Sequence, residues 1–309
     1  MKKIIITEFM DEAAVASLRE SFEVLYDTKL VDDAARLMAA APGADALIVR
    51  NRTQVRGELL AACAQATVIG RLGVGLDNID VPACEARGMR VIPATGANAL
   101  AVAEYVIGTA MVLLRGVYLS SNAVASGTWP RPALSNGREI SGTCLGLVGF
   151  GGIGRLTARL AQGLGMTVIA HDPMVPADSP VWADSGVQPA SFEELIARAD
   201  VISLHVPLTP GTANMLSAQR IARMKRGAVV INTSRGGIVD EAAVAAALRE
   251  GRLGGAAFDV FEPEPLGAGT AWQGCPNAIL TPHVAGVTAE SNVRVSTLIA
   301  AAVARALKA

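Results

Sequence analysis

The chain has 309 residues, of which 51% are hydrophobic and 18% are charged, and its formal net charge is −1. This length suggests about two domains, and the balanced charge, without any Lys/Arg-rich run, argues against binding to nucleic acid or an anionic membrane surface. The opening MKKIIITEF is too short for a secretory signal. The most apolar helical stretch, 105–114, is shorter than the ~20 residues that cross a bilayer. We therefore expect a soluble, cytoplasmic protein.

Four cysteines occur in the chain, and none of them has the CxxC spacing or a histidine at metal-ligand spacing. This pattern predicts reduced, mostly buried thiols and no metal site. The four cysteines are Cys63, Cys84, Cys144 and Cys275.

Residues 1–97 alternate short apolar runs with helical patterns. Such an alternation is typical of a parallel sheet flanked by helices. The runs predicted as strands are KIIITEF, FEVLYD, DALIVRN, TVIGRLG and MRVIPA.

A second alternating series follows a long helical pattern (98–115) and an irregular polar segment (116–143). Six predicted strands with intervening helices match a complete dinucleotide-binding fold, and a single apolar-rich helix (288–308) follows. The six strands are CLGLVGF (144–150), TVIAHD (167–172), DVISLHV (200–206), GAVVINT (227–233), GGAAFDVF (254–261) and NAILTP (277–282).

The stretch GLVGFGGIGR places Gly149, Gly151 and Gly154 in a G-x-G-x-x-G pattern between a strand and a helix. These glycines allow a tight turn, close approach of a pyrophosphate and close helix packing, and the helix N-terminus favours phosphate. Asp172, at the end of the next strand, could bind ribose hydroxyls and repel a 2′-phosphate, which favours NAD over NADP. The alternative is a glycine turn required only for packing, with an unrelated aspartate.

Polar residues follow several later strands: His205, Arg235, Asp259 and His283. Ligands of open α/β sheets bind beyond the carboxyl ends of the strands. Any one of these residues could be polar only because loops are solvated, so the whole set carries the inference of a common crevice.

The residue types suit oxidation of a secondary alcohol, in which a nicotinamide takes a hydride and the protein takes a proton. Histidine suits proton transfer near neutrality, a neighbouring carboxylate favours its charged form, and a guanidinium can hold a substrate carboxylate. The candidates are Arg235, Glu262 or Glu264, and His283.

Several motifs in this order resemble the D-isomer-specific 2-hydroxyacid dehydrogenase family, and within it the catalytic part of the phosphoglycerate dehydrogenases, over nearly the whole chain. They are VIGRLGVGLDNID (68–80), GANALAVAE (96–104), GLVGFGGIGR (146–155), LHVPLTPGT (204–212), INTSRGGIVDEAAVAAALREGRLGGAAFDVFEPEPL (231–266) and LTPHVAG (280–286). The resemblance implies an α/β protein with two doubly wound parallel sheets. A Rossmann NAD-binding domain (99–286) is inserted into a flavodoxin-like, split substrate domain (1–98 and 287–309).

The resemblance also implies roles for single residues. Arg235, Glu264 and His283 form the catalytic triad, and Glu264 is preferred because the family's glutamate lies five residues after the aspartate of DVF. Asp259 is expected to face the nicotinamide carboxamide. The other expected cofactor contacts, beyond the glycines and Asp172, are Gly152, Ile153, His205, Pro207 and Thr233.

The substrate contacts are less closely defined. The backbone of Gly73, Val74 and Gly75 is expected to bind the substrate carboxylate, and Arg235 and His283 the reacting end. Asn51 stands where relatives often have serine, and Val287 stands where they have a small polar or aromatic residue.

Three arginines are candidates for binding a second anionic group. Arg50 and Arg52 follow a strand, and Arg131 lies in the segment 116–143, which resembles the family's dimerisation arm and implies a homodimer or a dimer of dimers. Arg52 and Asn51 are the substrate-binding candidates among the strand-end residues.

We therefore expect an NAD-dependent enzyme that interconverts a small D-2-hydroxy acid and its 2-keto acid, with a second anion as in 3-phosphoglycerate or 3-sulfolactate. Two alternatives stay open: a glyoxylate/hydroxypyruvate reductase, and an NAD(H)-sensing binding protein of the same fold. The sequence names neither the acid nor the preferred direction.

Overall fold

The chain divides into two units, one formed by Met1–Asn98 with Val287–Ala309 and the other by Ala99–Gly286. The computed structural model describes all 309 residues.

The first unit contains a five-stranded, wholly parallel sheet in the order β2-β1-β3-β4-β5. This is the flavodoxin-like order of a doubly wound sheet, as predicted. Its strands are β1 (Lys3–Ile6), β2 (Glu23–Tyr26), β3 (Ala46–Val49), β4 (Val68–Arg71) and β5 (Arg90–Pro93).

Helices cover the two faces of this sheet and bury a hydrophobic core on each. They are α1 (Glu12–Arg19), α2 (Ala34–Ala40), α3 (Gly57–Ala62), α4 (Val81–Ala86) and, from the end of the chain, α12 (Ala289–Lys308). The last helix begins with a capping box formed by Thr288 and Ser291, which satisfies free N–H groups of its first turn. Its Ile299 and Val303 side chains pack against Gly70 of β4, so the C-terminal helix completes the first unit.

The second unit contains a seven-stranded parallel sheet in the order β12-β11-β10-β9-β6-β7-β8. Its strands are β6 (Cys144–Val148), β7 (Thr167–His171), β8 (Gln188–Pro189), β9 (Val201–Leu204), β10 (Ala228–Asn232), β11 (Leu253–Phe258) and β12 (Ala278–Leu280). The order reverses beside β6, as in a Rossmann fold. The sequence prediction of six strands was wrong by one, because the edge strand β8 has two exposed residues, one of them a proline, and no apolar run.

The helices of the second unit are α5 (Ala99–Arg115), α6 (Ser121–Ala125), α7 (Gly152–Gly163), α8 (Pro180–Ser185), α9 (Phe192–Arg198), α10 (Ala218–Ile221) and α11 (Glu241–Arg249). Apart from a short 3₁₀ turn at Tyr118–Ser120 and α6, the segment 116–143 is irregular, as predicted. We call this segment the arm.

No single helix is both long and apolar enough to span a membrane. Two consecutive helical segments, Ala99–Arg115 and Tyr118–Ala125, meet the length and composition criteria only when taken together, and they are bent by 70°.

Candidate active site

The glycine-rich turn lies between β6 and α7, where the strand order of the seven-stranded sheet reverses. A side chain on Gly154 would fall well under 3 Å from the Gly149 carbonyl oxygen, so the turn packs tightly against its helix. Gly151 is the N-cap of α7 and has no side chain to bond the free N–H groups of the first turn. No heavy atom lies within 4 Å of the place where its Cβ would stand. The turn therefore forms an open cradle at a helix N-terminus, where N–H groups and the helix dipole favour phosphate.

Asp172 follows β7 and lies beside this turn. Its carboxylate accepts hydrogen bonds from Phe150 N (2.7 Å) and Met174 N (2.9 Å). The structure thus brings the acid to the glycine turn, where a dinucleotide's ribose is expected in this fold.

His283 and Glu264 form a direct pair, with 2.8 Å between His283 Nδ1 and Glu264 Oε2. The other carboxylate oxygen of Glu264 accepts a bond from Phe261 N at 3.0 Å. Because an ionised carboxylate can only accept, Nδ1 carries the proton of this bond, and Nε2 of the neutral ring is left as the basic nitrogen. Of the two glutamates that the residue pattern left open, Glu264 is the one beside the histidine. The carboxylate of Glu262 instead lies beside Gly237.

The loop that carries His283 is anchored by Asp259, which is 1% exposed. The Asp259 carboxylate accepts bonds from Thr281 Oγ1 (2.6 Å), Val284 N (2.8 Å) and Ala285 N (2.7 Å), and its carbonyl accepts one from His283 N (2.8 Å). These bonds hold His283 at a φ of 56°, in the left-handed region that side-chain-bearing residues adopt only under such constraint. The expected contact of Asp259 with a nicotinamide stays a prediction.

Arg235 follows β10, the strand next to β11, which in turn pairs with β12. Asn232 folds the turn before it, because its side chain donates to Arg235 O (2.9 Å) and accepts from Ser234 N (3.1 Å). A Cβ on Gly236 would collide with the backbone at Phe261, so this glycine allows the loops after β10 and β11 to touch. Arg235, Glu264 and His283 thus lie in the loops after three neighbouring strands.

Two predicted cofactor residues have distinctive surroundings. Burial lowers the pKa of His205 from 6.5 to about 4, so its imidazole is neutral at physiological pH, and Nε2 lies 3.0 Å from Ser203 Oγ. Thr233 Oγ1 is buried and has no hydrogen-bond partner in the chain. A buried, unpaired hydroxyl at a strand end calls for a partner. Together with the open cradle at Gly151, it fits a bound dinucleotide.

The remaining predicted cofactor residues lie at the same edge of the sheet. Gly152 and Ile153 form the first turn of α7, and Pro207 follows β9, with its carbonyl accepting a bond from Thr212 Oγ1 at 2.6 Å.

In the first unit, the β4 loop (residues 73–75) departs in one respect from the expectation. The Gly73 N–H donates to the Arg71 carbonyl at 2.8 Å. The expectation that the amides of all three residues bind the substrate carboxylate is therefore corrected to two amides, those of Val74 and Gly75. The Arg71 guanidinium packs against Gly73, where it would collide with a Cβ. Sequence reasoning missed this arginine, although its place at the end of β4 was a usable signal.

The β3 loop (residues 50–53) carries two of the predicted cations. Arg50 is half-buried, with its guanidinium 2.8 Å from Asn292 Oδ1 and 5.8 Å from the centroid of the Phe9 ring. Arg52 is exposed and forms an ion pair with Asp32. Asn51 is exposed beside them.

Two further residues that sequence reasoning missed bond to the segments that carry His283 and Glu264. Tyr105 Oη lies 2.7 Å from Thr281 Oγ1, and burial raises the pKa of Tyr105. Glu241 accepts bonds from Glu262 N (3.2 Å) and Trp272 Nε1 (2.7 Å), which steadies the segment that leads to Glu264. Nothing in the sequence could have linked Tyr105 with Thr281, which lie 176 residues apart.

A phosphate-binding turn with an acid beside it, and a histidine–glutamate pair at the same edge of the same sheet, define a nicotinamide-dependent dehydrogenase. No cluster of histidine, cysteine and acidic residues suited to a metal ion occurs in the chain.

Comparison with known proteins identifies the family. Residues 107–285 match the family model described as D-isomer specific 2-hydroxyacid dehydrogenase, NAD binding domain. The chain belongs to this family, and it is an NAD-dependent 2-hydroxyacid dehydrogenase.

Two curated relatives and one solved structure illustrate the similarity. The chain is 53% identical to an (S)-sulfolactate dehydrogenase of Chromohalobacter salexigens over 99% of both chains. It is 38% identical to a D-3-phosphoglycerate dehydrogenase of Mycobacterium leprae over 98% of its own length, but it spans only 56% of that relative. It also superposes on the crystal structure of the TT0316 protein of Thermus thermophilus with a TM-score of 0.87 and 33% identity, covering 99% of this chain and 97% of that one.

Proposed function

We propose that this enzyme interconverts (S)-3-sulfolactate and its 2-keto acid with NAD as the hydride acceptor. The observation that carries the reaction type is the 2.8 Å pair of His283 and Glu264 beyond a dinucleotide-binding sheet. The substrate is supported by the 53% identity to an (S)-sulfolactate dehydrogenase over 99% of both chains, and by the arginines at the carboxyl ends of β3 and β4.

The stereochemical label agrees with a D-specific family. In 3-sulfolactate the sulfur gives the CH₂ carbon a higher priority than the carboxylate carbon, whereas the methyl carbon of lactate has a lower one. The same spatial arrangement is therefore called R in D-lactate and S in 3-sulfolactate. A site built for D-2-hydroxy acids accepts the S enantiomer of this sulfonate.

The chain's own groups handle the proton and the charge. NAD, when bound, supplies the hydride acceptor, and the glycine turn, Asp172 and Thr233 are the residues that would hold it. His283 Nε2 takes the proton of the substrate hydroxyl, because Nδ1 is committed to Glu264. Glu264 stabilises the imidazolium that results. Arg235 holds the substrate carboxylate and polarises the reacting oxygen.

The β3 and β4 loops, together with Arg71 at the end of β4, supply groups suited to anions. The unpaired amides of Val74 and Gly75 suit carboxylate oxygens, and the guanidinium groups of Arg52 and Arg71 suit a sulfonate. In this proposal Arg52 exchanges its exposed partner Asp32 for the substrate, which costs little because a solvated ion pair adds little to stability.

D-3-phosphoglycerate is the second candidate substrate, since it too carries a second anion and the chain resembles a dehydrogenase named for it. Glyoxylate or hydroxypyruvate reduction and NAD(H) sensing without turnover are the remaining alternatives. The reductase alternative requires preference for a substrate without the second anion. The NAD(H)-sensing alternative requires that no hydroxy acid be turned over.

The test is a panel of hydroxy acids assayed by NADH absorbance, with NAD and NADP in parallel. We expect (S)-3-sulfolactate to give the highest kcat/KM, and Arg52→Ala to raise the KM for sulfolactate and phosphoglycerate but not for D-lactate. Equal efficiency with D-lactate and every di-anion, or an unchanged di-anion KM in the variant, would refute the second-anion proposal.

We also propose a homodimer, or a dimer of dimers, formed through the arm. The support is a set of exposed apolar side chains in it, with Trp129 73% and Tyr118 59% exposed and Leu119 and Val124 also exposed, which a partner surface would cover. Arg131 lies in this arm and could serve a neighbouring subunit. Light scattering at micromolar concentration tests the proposal, and a monomer would contradict it.

A cytoplasmic location is likewise proposed. Its support is that all four cysteines are free thiols, which suits a reducing compartment. Fractionation of the native host tests it.

A further inference from the structure

Glu8 is a buried acid in the first unit that has no part in the chemistry described so far. It lies two residues beyond β1, at the carboxyl edge of the sheet, and only 4% of it is exposed. A buried carboxylate is costly unless polar groups surround it, so its partners show what it does.

All the partners of the Glu8 carboxylate belong to the β3 loop. Oε1 accepts from Arg50 N (3.0 Å), Thr53 N (3.0 Å) and Thr53 Oγ1 (2.8 Å), and Oε2 accepts from Arg52 N (3.1 Å). Three backbone amides and one hydroxyl thus converge on one carboxylate from 42 to 45 residues away in sequence. Charge-assisted bonds of this kind are about twice as strong as neutral ones.

Asn78 holds the same loop through its carbonyl groups. Its Nδ2 donates to Arg50 O (3.1 Å) and Thr53 O (2.7 Å), and Asn78 is itself buried. Glu8 and Asn78 together satisfy much of the polar backbone of the loop, so the backbone from which the side chains of Arg50, Asn51 and Arg52 extend is fixed.

We propose that Glu8 is a positioning residue that fixes the β3 loop so that its arginines meet the second anion of the substrate. This inference rests on the proposed function. Glu8 touches no substrate, and it acts by setting the backbone from which Arg50 and Arg52 extend. Glu8 also interacts electrostatically with Arg50. Burial lowers the pKa of Arg50, and the negative charge of Glu8 opposes this effect.

The test variant is Glu8→Gln, which keeps the shape but replaces one accepting oxygen with an NH₂ group that faces N–H donors. We expect the KM for (S)-3-sulfolactate to rise at least about fivefold, because small displacements of positioning groups have large kinetic effects. The kcat, the KM for NAD and the KM for D-lactate should stay within about twofold. Thr53→Val, which removes one of the four donors, should raise the sulfolactate KM in the same direction by less, and it serves if Glu8→Gln does not fold.

Asp45→Asn is the matched control. Asp45 stands at the other end of the same strands, where its Oδ2 accepts a bond from Lys3 N at 2.6 Å. It should lower the melting temperature without changing any KM. If Glu8→Gln behaves like this control, with a loss of stability and an unchanged sulfolactate KM, Glu8 is merely structural and the inference is overturned. An equal rise of the lactate KM overturns it as well.

A double-mutant cycle separates this inference from the proposed function. If Glu8 acts through Arg52, the effects of Glu8→Gln and Arg52→Ala on the sulfolactate KM are less than additive. If Arg52→Ala has no effect while Glu8→Gln alone raises that KM, the role proposed for Arg52 fails and the positioning of the loop by Glu8 stands. If both single variants raise that KM and their effects are fully additive, the coupling is absent and the inference is overturned.

Discussion

Gly151→Ala should separate cofactor binding from folding. The backbone of Gly151 has φ −76° and ψ −160°, which alanine adopts without strain, and no heavy atom lies within 4 Å of the added Cβ. The melting temperature should therefore change little. In the complex the methyl group would stand where the pyrophosphate approaches the backbone. Losing one charge-assisted hydrogen bond there, worth about 1.5–3 kcal/mol, weakens binding roughly 10- to 150-fold.

Gly154→Ala, in contrast, should lower the melting temperature. Its Cβ would fall well under 3 Å from the Gly149 carbonyl oxygen, so the backbone must move, and overpacking of this kind costs about 1–3 kcal/mol. For a unit of this size each kcal/mol lowers the melting temperature by about 2–4 °C. The expected decrease is therefore roughly 2–12 °C.

Thermal melts and NADH fluorescence titrations on both variants test this separation. Gly163→Ala is the control, because it too has nothing within 4 Å of its Cβ and stands at the far end of α7 from the glycine turn. It should keep both stability and affinity. Normal NADH affinity in Gly151→Ala would show that the cradle at the start of α7 does not receive the pyrophosphate.

Three further changes probe other parts of the site. His283→Asn should lower kcat by at least the ~10²-fold typical of a lost general base while NADH still binds in titration, and near-normal turnover would remove His283 from that role. Asp172→Ala should erode the preference for NAD over NADP, measured as the ratio of kcat/KM values; an unchanged ratio would contradict the ribose contact. Burial lowers the pKa of His205 from 6.5 to about 4, so on acidification this histidine is protonated in the unfolded chain before it is protonated in the folded one. The stability that comes from burying the neutral imidazole is therefore complete above pH 6.5 and is lost as the pH falls towards 4. The melting temperature of the parent should therefore fall relative to that of His205→Gln as the pH is lowered from 8 to 5, and parallel curves would show that His205 makes no such contribution.

The sequence predicted the sheets well because buried parallel strands are continuous apolar runs. β10 (Ala228–Asn232), for example, is wholly buried. The sequence prediction missed β8, which lies at the sheet edge and carries the polar Gln188. The choice between Glu262 and Glu264 came only from family resemblance, since residue spacing alone suits both, and the fold brings Glu264 to His283.

Buried polar residues were the least predictable part of the site. Glu8 follows an apolar strand, where an acid ordinarily indicates a solvated turn, and its four donors come from a distant loop. The same holds for the bond between Tyr105 and Thr281. Such contacts depend on how β1 and β3, or α5 and β12, are placed in space, and no local pattern records that placement.

The most direct test of the proposed substrate class is the ratio of kcat/KM for (S)-3-sulfolactate to that for D-lactate, both measured with NAD. The two acids differ only at the end away from the reacting hydroxyl. A second anion held by guanidinium groups, at about 1.5–3 kcal/mol for a charge-assisted bond, predicts a ratio of roughly 10 to 150 in favour of the sulfonate. A ratio near one, or in favour of lactate, would contradict the assignment of the β3 and β4 loops to a second anion.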